Sequence, residues 1–313
     1  MPLRFTVLAS GSAGNASLLE ADGFGLLIDI GLGPRQLASR LSAVGASWGR
    51  VHAVLLTHTH SDHWNERALE HLQRLGIPLY CHPEHHTPLS ASSSAFAGLG
   101  ANQLVREYQP GQELTLGPCL RCRPLPLRHD GGATFGFRIE GPGDFYGEPC
   151  CLGYVADLGS WTAELAGALA DVDLLALEFN HDVDLEYASG RSARLIARVL
   201  GDHGHLSNAQ AVALLEAVVR LSAPGRLRRL VQLHLSRDCN RPELAAEATR
   251  HLANGEPHGL EVHTACQDEP GPTFIIGGGE GARAPRPNRP RARAARSAAA
   301  TSICQPWLPG LES

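Results

Sequence analysis

Residues 57–63 read Thr-His-Thr-His-Ser-Asp-His and follow directly on the apolar run Val51–Leu56. Three imidazoles and one carboxylate therefore fall within six residues at the end of a strand pattern. A strand that ends this way cannot bury those groups cheaply unless they are paired. Neutral imidazole nitrogen and carboxylate oxygen are the donors a borderline-soft divalent cation prefers. In an extended turn after the strand, His58 and His60 aim at one point. Asp62 and His63 aim at a second point a few ångströms away. The spacing predicts a two-metal site, which generates hydroxide at neutral pH for attack on an ester or phosphodiester.

The rest of the chain supplies a scaffold for such a site. With 313 residues there is room for one large domain or two small ones. No apolar run of about 18 residues occurs, so no membrane span is expected. Met1-Pro2-Leu3-Arg4-Phe5 leads straight into a strand pattern without the features of a secretory signal, so a cytoplasmic location is expected. The eight cysteines then read as reduced thiols. Cys119 and Cys122 form a CxxC with no second pair, and on a strand their side chains point to opposite faces.

The formal charge of −5 conceals an asymmetry. Residues 281–300 hold six arginines and no acid, and removing those six charges leaves the remainder near −11. That acidic body argues against broad electrostatic binding of nucleic acid, while leaving room for local basic patches. Residues 278–313 are rich in Arg, Ala and Pro without periodicity, and a disordered, solvated tail is expected there. Residues 1–277 form the expected folded domain.

Strand and helix patterns alternate. Phe5–Ala9, Gly25–Ile30, Val51–Leu56, Leu114–Leu116, Cys119–Leu127, Thr134–Ile139, Leu152–Ala156, Leu174–Phe179, Leu230–Leu233 and Thr273–Ile276 read as strands. Pro34–Val44, Asn65–Leu75, Arg191–Leu200, Asn208–Leu221 and Pro242–Leu252 read as helices. Gly45 and Gly76 stop the first two, and Ser207 with Gln210 predicts a capping box on the fourth. Pro88–Gly100 reads as a loop or weak helix. Further candidate ligands stand at the ends of apolar runs: Asp29, His129, Asp157 and His234. Each projects from the edge of a sheet, where loops carry chemistry on a rigid frame.

The order Asp29, His58/His60/Asp62/His63, His129, Asp157, His234 resembles the metallo-β-lactamase superfamily of hydrolases. The resemblance implies an α/β fold, a four-layer αββα sandwich with a dinuclear site at one edge. It implies that His58, His60 and His129 hold one ion, that Asp62, His63 and His234 hold the other, and that Asp157 bridges them. Asp29 and His181 would stand behind the ligands as orienting residues. The diiron branch of the superfamily typically has Glu where this chain has His60, so the resemblance points away from redox chemistry. Zn²⁺ is the expected ion, with Mn²⁺ as the alternative.

Val7-Leu8-Ala9-Ser10-Gly11-Ser12-Ala13-Gly14-Asn15 is similar to the opening of the YycJ/WalJ-type proteins. So are Glu178-Phe179-Asn180-His181-Asp182, Gly204-His205-Leu206-Ser207-Asn208, His234-Leu235-Ser236-Arg237-Asp238-Cys239-Asn240 and Gln267-Asp268-Glu269-Pro270. The resemblance spans residues 3–276 and implies a nuclease, including 5′-to-3′ exonuclease action on DNA. Glu178 and His205 resemble the pair with which tRNase Z enzymes protonate the leaving oxygen, a role that suits phosphodiester cleavage. With Asp62, they are the expected catalytic residues. Arg191, Arg194 and Arg198 share a helix face and are candidate phosphate contacts. The spacing between Asp157 and His234 is too short for a β-CASP insertion. Two rival readings use the same fold: a small-molecule hydrolase of thioesters, lactones or cyclic phosphodiesters, and a metal-binding protein without turnover.

Overall fold

The computed structural model describes residues 2–143, 149–253 and 259–277. The predicted tail, 278–313, lies outside the described residues. The first half contains β1 (Leu3–Ala9), β2 (Ala16–Ala21), β3 (Phe24–Ile28), α1 (Pro34–Ala43), β4 (Ala53–Leu55), α2 (Glu66–Leu75), β5 (Leu79–Cys81), α3 (His86–Ser92), α4 (Ser94–Ala101) and β6 (Val105–Glu107). The second contains β7 (Leu114–Leu116), β8 (Leu120–Leu127), β9 (Thr134–Gly143), β10 (Pro149–Val155), α5 (Ala163–Ala168), β11 (Leu174–Glu178), α6 (Val183–Ala188), α7 (Ala193–Leu200), α8 (Asn208–Leu221), β12 (Arg229–Leu233), α9 (Pro242–Ala248), α10 (Arg250–Ala253) and β13 (Glu261–Thr264). β14 (Phe274–Ile276) then returns to pair with β1.

The strands form two seven-stranded mixed sheets, ordered β14-β1-β2-β3-β4-β5-β6 and β13-β12-β11-β10-β9-β8-β7. Their inner faces meet in one core that includes Phe5, Leu26, Ile28, Phe137, Leu152, Tyr154 and Val231. The outer face of the first sheet packs Leu27, Val54 and Leu79 against Leu37, Leu41, Leu69, Leu72 and Leu99 of its helices. The outer face of the second packs Leu175, Leu177 and Leu230 against Leu165, Leu214, Leu215 and Val218. The fold is therefore the expected αββα sandwich.

Local signals hold where they are strong. Asn65 caps α2 through its side chain, and Gly76 ends it in the left-handed region at φ 69°. Ser207 and Gln210 close the capping box on α8. For residues 88–100 the helical alternative holds, in two pieces: they belong to α3 and α4, divided at Ser93, whose hydroxyl caps the Phe96 N–H. One helix differs from expectation. The predicted helix Pro242–Leu252 is divided at Thr249 into α9 and α10. Among the described residues, no helix is long and apolar enough to cross a membrane.

A candidate metal centre at the sheet edges

Every predicted ligand leaves the end of a strand. His58, His60, Asp62 and His63 follow β4, His129 follows β8, Asp157 follows β10, and His234 follows β12. They converge. Ring or carboxylate donors of His58, His60 and His129 lie within 4.8 Å of one another, as do those of Asp62, His63 and His234. Asp157 reaches both groups: its Oδ2 is 2.9 Å from His63 Nε2, and its Oδ1 is 2.6 Å from His234 Nδ1 and 3.9 Å from His129 Nε2. His129 Nε2 is 3.2 Å from His60 Nδ1. His58, His63, His129, Asp157 and His234 are buried, whereas His60, Asp62 and His205 are partly exposed and mark the open side.

The environment divides these donors: burial opposes charge on His63 and His234, but Asp157 and Asp29 outweigh it on His63, and Asp157 on His234, and raise both well above the ordinary imidazole range, whereas the others are kept in ligand form. Burial, reinforced by His63, lowers the pKa of His58 well below the ordinary imidazole range. Burial also lowers His60 and His129. Burial opposes charge on Asp62, but His234 and His63 outweigh it and hold the carboxylate ionised. His58 Nε2, His234 Nε2 and both Asp157 oxygens are buried with no aligned hydrogen-bond partner. The short approaches to Asp157 are thus contacts between converging donors rather than formed hydrogen bonds. Leaving such atoms unsatisfied is costly. Imidazole nitrogens and carboxylate oxygens converging at these distances fit divalent cations.

A layer of hydrogen bonds behind the donors sets their orientation. Asp29 is fully buried. Its Oδ1 accepts the Thr57 N–H at 2.9 Å, and its Oδ2 accepts from the Thr57 hydroxyl at 2.9 Å and from His63 Nδ1 at 2.7 Å. With its proton committed to Asp29, the Thr57 oxygen accepts from His58 Nδ1 at 3.0 Å. One carboxylate therefore fixes two imidazoles, with Nε2 left as the ligand atom on each. His129 Nδ1 donates to the Gly204 carbonyl at 2.7 Å, which frees its Nε2. Gly31 lets the chain close over this region: a Cβ there would stand 1.8 Å from the Asp62 carbonyl oxygen.

Beside the donors stands a second pair. Glu178, at the end of β11, accepts from His205 Nδ1 at 2.7 Å through Oε1. Its Oε2 accepts the backbone N–H groups of Leu158 and Leu206, each at 3.0 Å. Burial disfavours charge on His205, but Glu178 and then Asp157 outweigh it and raise its pKa. The shift favours the charged form of His205, the form in which an imidazole can donate a proton.

Three further candidates stand apart from the donor cluster. Arg191 is held by Glu186 and Asp238, and Arg198 is held by Asp130. Their guanidinium forks are engaged, which leaves Arg194, exposed and without an ion pair among the described residues, as the remaining free cation of that helix face. His181 does not orient a ligand by hydrogen bonding. Both its ring nitrogens are buried without a partner, and its contribution is a backbone carbonyl that accepts the Asn208 N–H.

Asn15 went unread as a site residue. Its Nδ2 lies 3.1 Å from Asp62 Oδ2 and 3.0 Å from His63 Nε2, while Gly11 N–H donates to its Oδ1. Ser10 was also unread: its hydroxyl accepts the His234 N–H at 2.8 Å. The signals for both lie in the segment they share, Val7–Asn15, whose glycines mark a close backbone approach and which carries part of the family resemblance.

Residues 25–234 match the family described as the beta-lactamase superfamily domain. The exodeoxyribonuclease WalJ of Streptococcus pneumoniae serotype 2 (strain D39 / NCTC 7466) is 29% identical over 242 residues, covering 77% of this chain and 85% of its own. The exodeoxyribonuclease YycJ of Bacillus anthracis is 25% identical over 267 residues, covering 84% of this chain and 95% of its own. Among solved structures, the metallo-beta-lactamase fold protein YhfI from Bacillus subtilis aligns with a TM-score of 0.62 at 19% identity. That alignment covers 88% of this chain and 100% of that one, and it bears on the fold alone.

Proposed function

Since the chain belongs to the beta-lactamase superfamily, as a YycJ-like protein of metallo-β-lactamase fold, we propose that it is a dinuclear zinc phosphodiesterase that degrades DNA from the 5′ end. Superfamily membership and the convergent donors make it a metal-dependent hydrolase. The substrate, the ion, the count of two and the direction of cleavage are what the proposal adds. The observation that carries it is the Glu178–His205 pair, 2.7 Å apart and joined to the donor cluster by the 3.5 Å approach of His205 Nδ1 to Asp157.

Two divalent ions, when bound, lower the pKa of water and neutralise charge that develops on a phosphoryl group. His58, His60 and His129 would hold one, Asp62, His63 and His234 the other, and Asp157 both. The chain's own residues supply the proton traffic. Asp62 Oδ2 is engaged by Asn15, whereas its Oδ1 accepts no hydrogen bond from the described residues, so it orients the attacking water. His205, with Nδ1 committed to Glu178, holds its transferable proton on Nε2 and gives it to the leaving oxygen. An alkoxide leaving from phosphorus needs that proton. A thioester leaving group barely does.

The test is cleavage of 5′- and 3′-labelled single- and double-stranded DNA by metal-loaded protein, beside Asp62→Ala and His205→Ala. Release of label from the 5′ end first, lost in both variants, is the expected result. A protein that carries two ions and leaves all four substrates intact would refute the proposal.

A further inference from the structure

Helix α7 has one strongly apolar face, yet Val199 is its only buried residue. Ala193, Ile196, Ala197 and Leu200 recur at the spacing of a single helix face. With Gly201 and Tyr187 of α6, they line an open-sided groove of about 360 Å³. A stripe of this kind ordinarily packs against protein, but here Ala193 and Ala197 are exposed and Ile196 and Leu200 are only half-buried. Tyr187 is 66% exposed, so its ring is presented rather than stored in the core.

The groove lies on the helix whose following turn carries His205. Gly201 ends α7, and His205 follows four residues later. The turn between them is fastened to the site: Asp130 N–H donates to the His203 carbonyl, His129 Nδ1 to the Gly204 carbonyl, and His205 N–H to the Val199 carbonyl. Arg194 lies on the same helix with its charge unpaired among the described residues. An exposed aromatic ring, an apolar floor and a free guanidinium are the parts of a single-strand binding surface. Eight residues of helix span about 12 Å, length for about three to four bases stacked at about 3.4 Å. Six lining residues fall well short of the about 20–30 per side of a standard protein interface.

We infer that this groove is a base-stacking subsite for the unpaired strand that enters the metal centre, with Tyr187 stacking on a base and Arg194 contacting a phosphate. The inference rests on the phosphodiesterase reading and adds the conformation of the substrate, an unpaired polynucleotide end.

Fluorescence anisotropy with metal-loaded protein tests it. The probes are a 5′-phosphorylated oligothymidine with hydrolysis-resistant phosphorothioate links and an abasic strand of the same length. Tyr187→Ala should weaken binding of the base-bearing strand about 5- to 150-fold, the loss of one aromatic stack. Tyr187→Phe should retain wild-type binding, and the abasic strand should bind all three proteins alike. Arg194→Ala should weaken both strands equally and reduce the salt dependence by about one phosphate contact. Equal affinity of wild type and Tyr187→Ala for oligothymidine would overturn the subsite. So would a loss equal for both strands, or a Tyr187→Ala variant whose only change is from dimer to monomer. If wild type cleaves DNA while Tyr187→Ala binds it normally, the subsite alone falls. If wild type neither binds nor cleaves DNA, the phosphodiesterase reading falls first.

Discussion

The Glu178–His205 pair makes a prediction that depends on the leaving group. His205 Nδ1 donates to a carboxylate that is itself fully buried and anchored by two backbone N–H groups. A hydrogen bond to a charged partner in such a setting is worth about 1.5–3 kcal/mol. At about 1.4 kcal/mol per tenfold, Glu178→Gln should lower the ratio of charged to neutral His205 by roughly 10- to 150-fold. The substitution also turns one acceptor into a donor: the new NH₂ must oppose either His205 Nδ1–H or the N–H groups of Leu158 and Leu206. His205→Ala removes the acid altogether and should cost about 10²–10⁴ in DNA cleavage.

Neither loss should carry over in full to an activated ester. The p-nitrophenolate of bis(p-nitrophenyl) phosphate leaves without help from an acid, so both variants should hydrolyse it within about tenfold of wild type. The assay is kcat/KM on both substrates at matched metal content, with Glu178→Gln falling between wild type and His205→Ala on DNA alone. Equal losses on the two substrates would mean that the pair shapes the metal site rather than delivering a proton, and the reasoning would be wrong.

Other residues yield their own outcomes. Asp29→Ala removes the acceptor shared by His63 and Thr57, and metal affinity measured by chelator competition should fall about 10- to 100-fold. Gly31→Ala would place a methyl 1.8 Å from the Asp62 carbonyl; denaturant unfolding should show a loss of about 1–3 kcal/mol, together with reduced metal content. His85 is buried, with Nε2 donating to the Ala133 carbonyl and Nδ1 accepting the His82 N–H. Burial pushes its pKa down to about 4 from 6.5. The unfolded chain therefore binds the extra proton first. The stabilising contribution of His85 is whole above pH 6.5 and is lost as the pH falls towards 4, amounting to about 3 kcal/mol. Denaturant midpoints across that window should fall less steeply in His85→Asn than in wild type, and parallel curves would remove His85 as the titrating group.

What could be read from the sequence depended on how far apart the partners lie. The metal cluster was legible because four of its donors fall between His58 and His63, and the remainder end apolar runs. Helix α8 was legible because its capping box is local. Strand β2 was not, since Ala16–Ala21 holds neither β-branched nor aromatic residues and takes its extended form from pairing on both sides. Strands β5 and β6, at three residues each, are too short to show a period. The ion pairs of Arg191 and Arg198 were hidden because Asp238 and Asp130 lie 47 and 68 residues away. Asn15 and Thr57 looked like ordinary turn and strand-end residues, and their work appears only once the turn folds back on Asp62 and the strand end meets Asp29.

The convergence of the donors follows from strand direction. In the first sheet, β1 and β3 each run antiparallel to β2, and β4 runs parallel to β3. In the second, β8 and β10 each run antiparallel to β9, and β11 and β12 run parallel to β10. The carboxyl ends of β1, β3 and β4 therefore share one rim, as do those of β8, β10, β11 and β12. Packed sheets stand about 10 Å apart, within reach of side chains from both. Each donor group draws on both rims: His58 and His60 meet His129, and Asp62 and His63 meet His234. Coordination would thus tie together the two sheets, which no strand pairing joins among the described residues. The backbone is strained at this rim, with Asp29 at φ 62° and His234 at φ 55°, a conformation that costs a non-glycine residue about 1–3 kcal/mol. It persists because the surroundings over-determine it: Thr57 and His63 hold Asp29, while Ser10 and Asn180 hold the His234 backbone. A rim built only for stability would have no use for that strain. Here it turns one carboxylate and one imidazole out of the strand direction and onto the donor cluster.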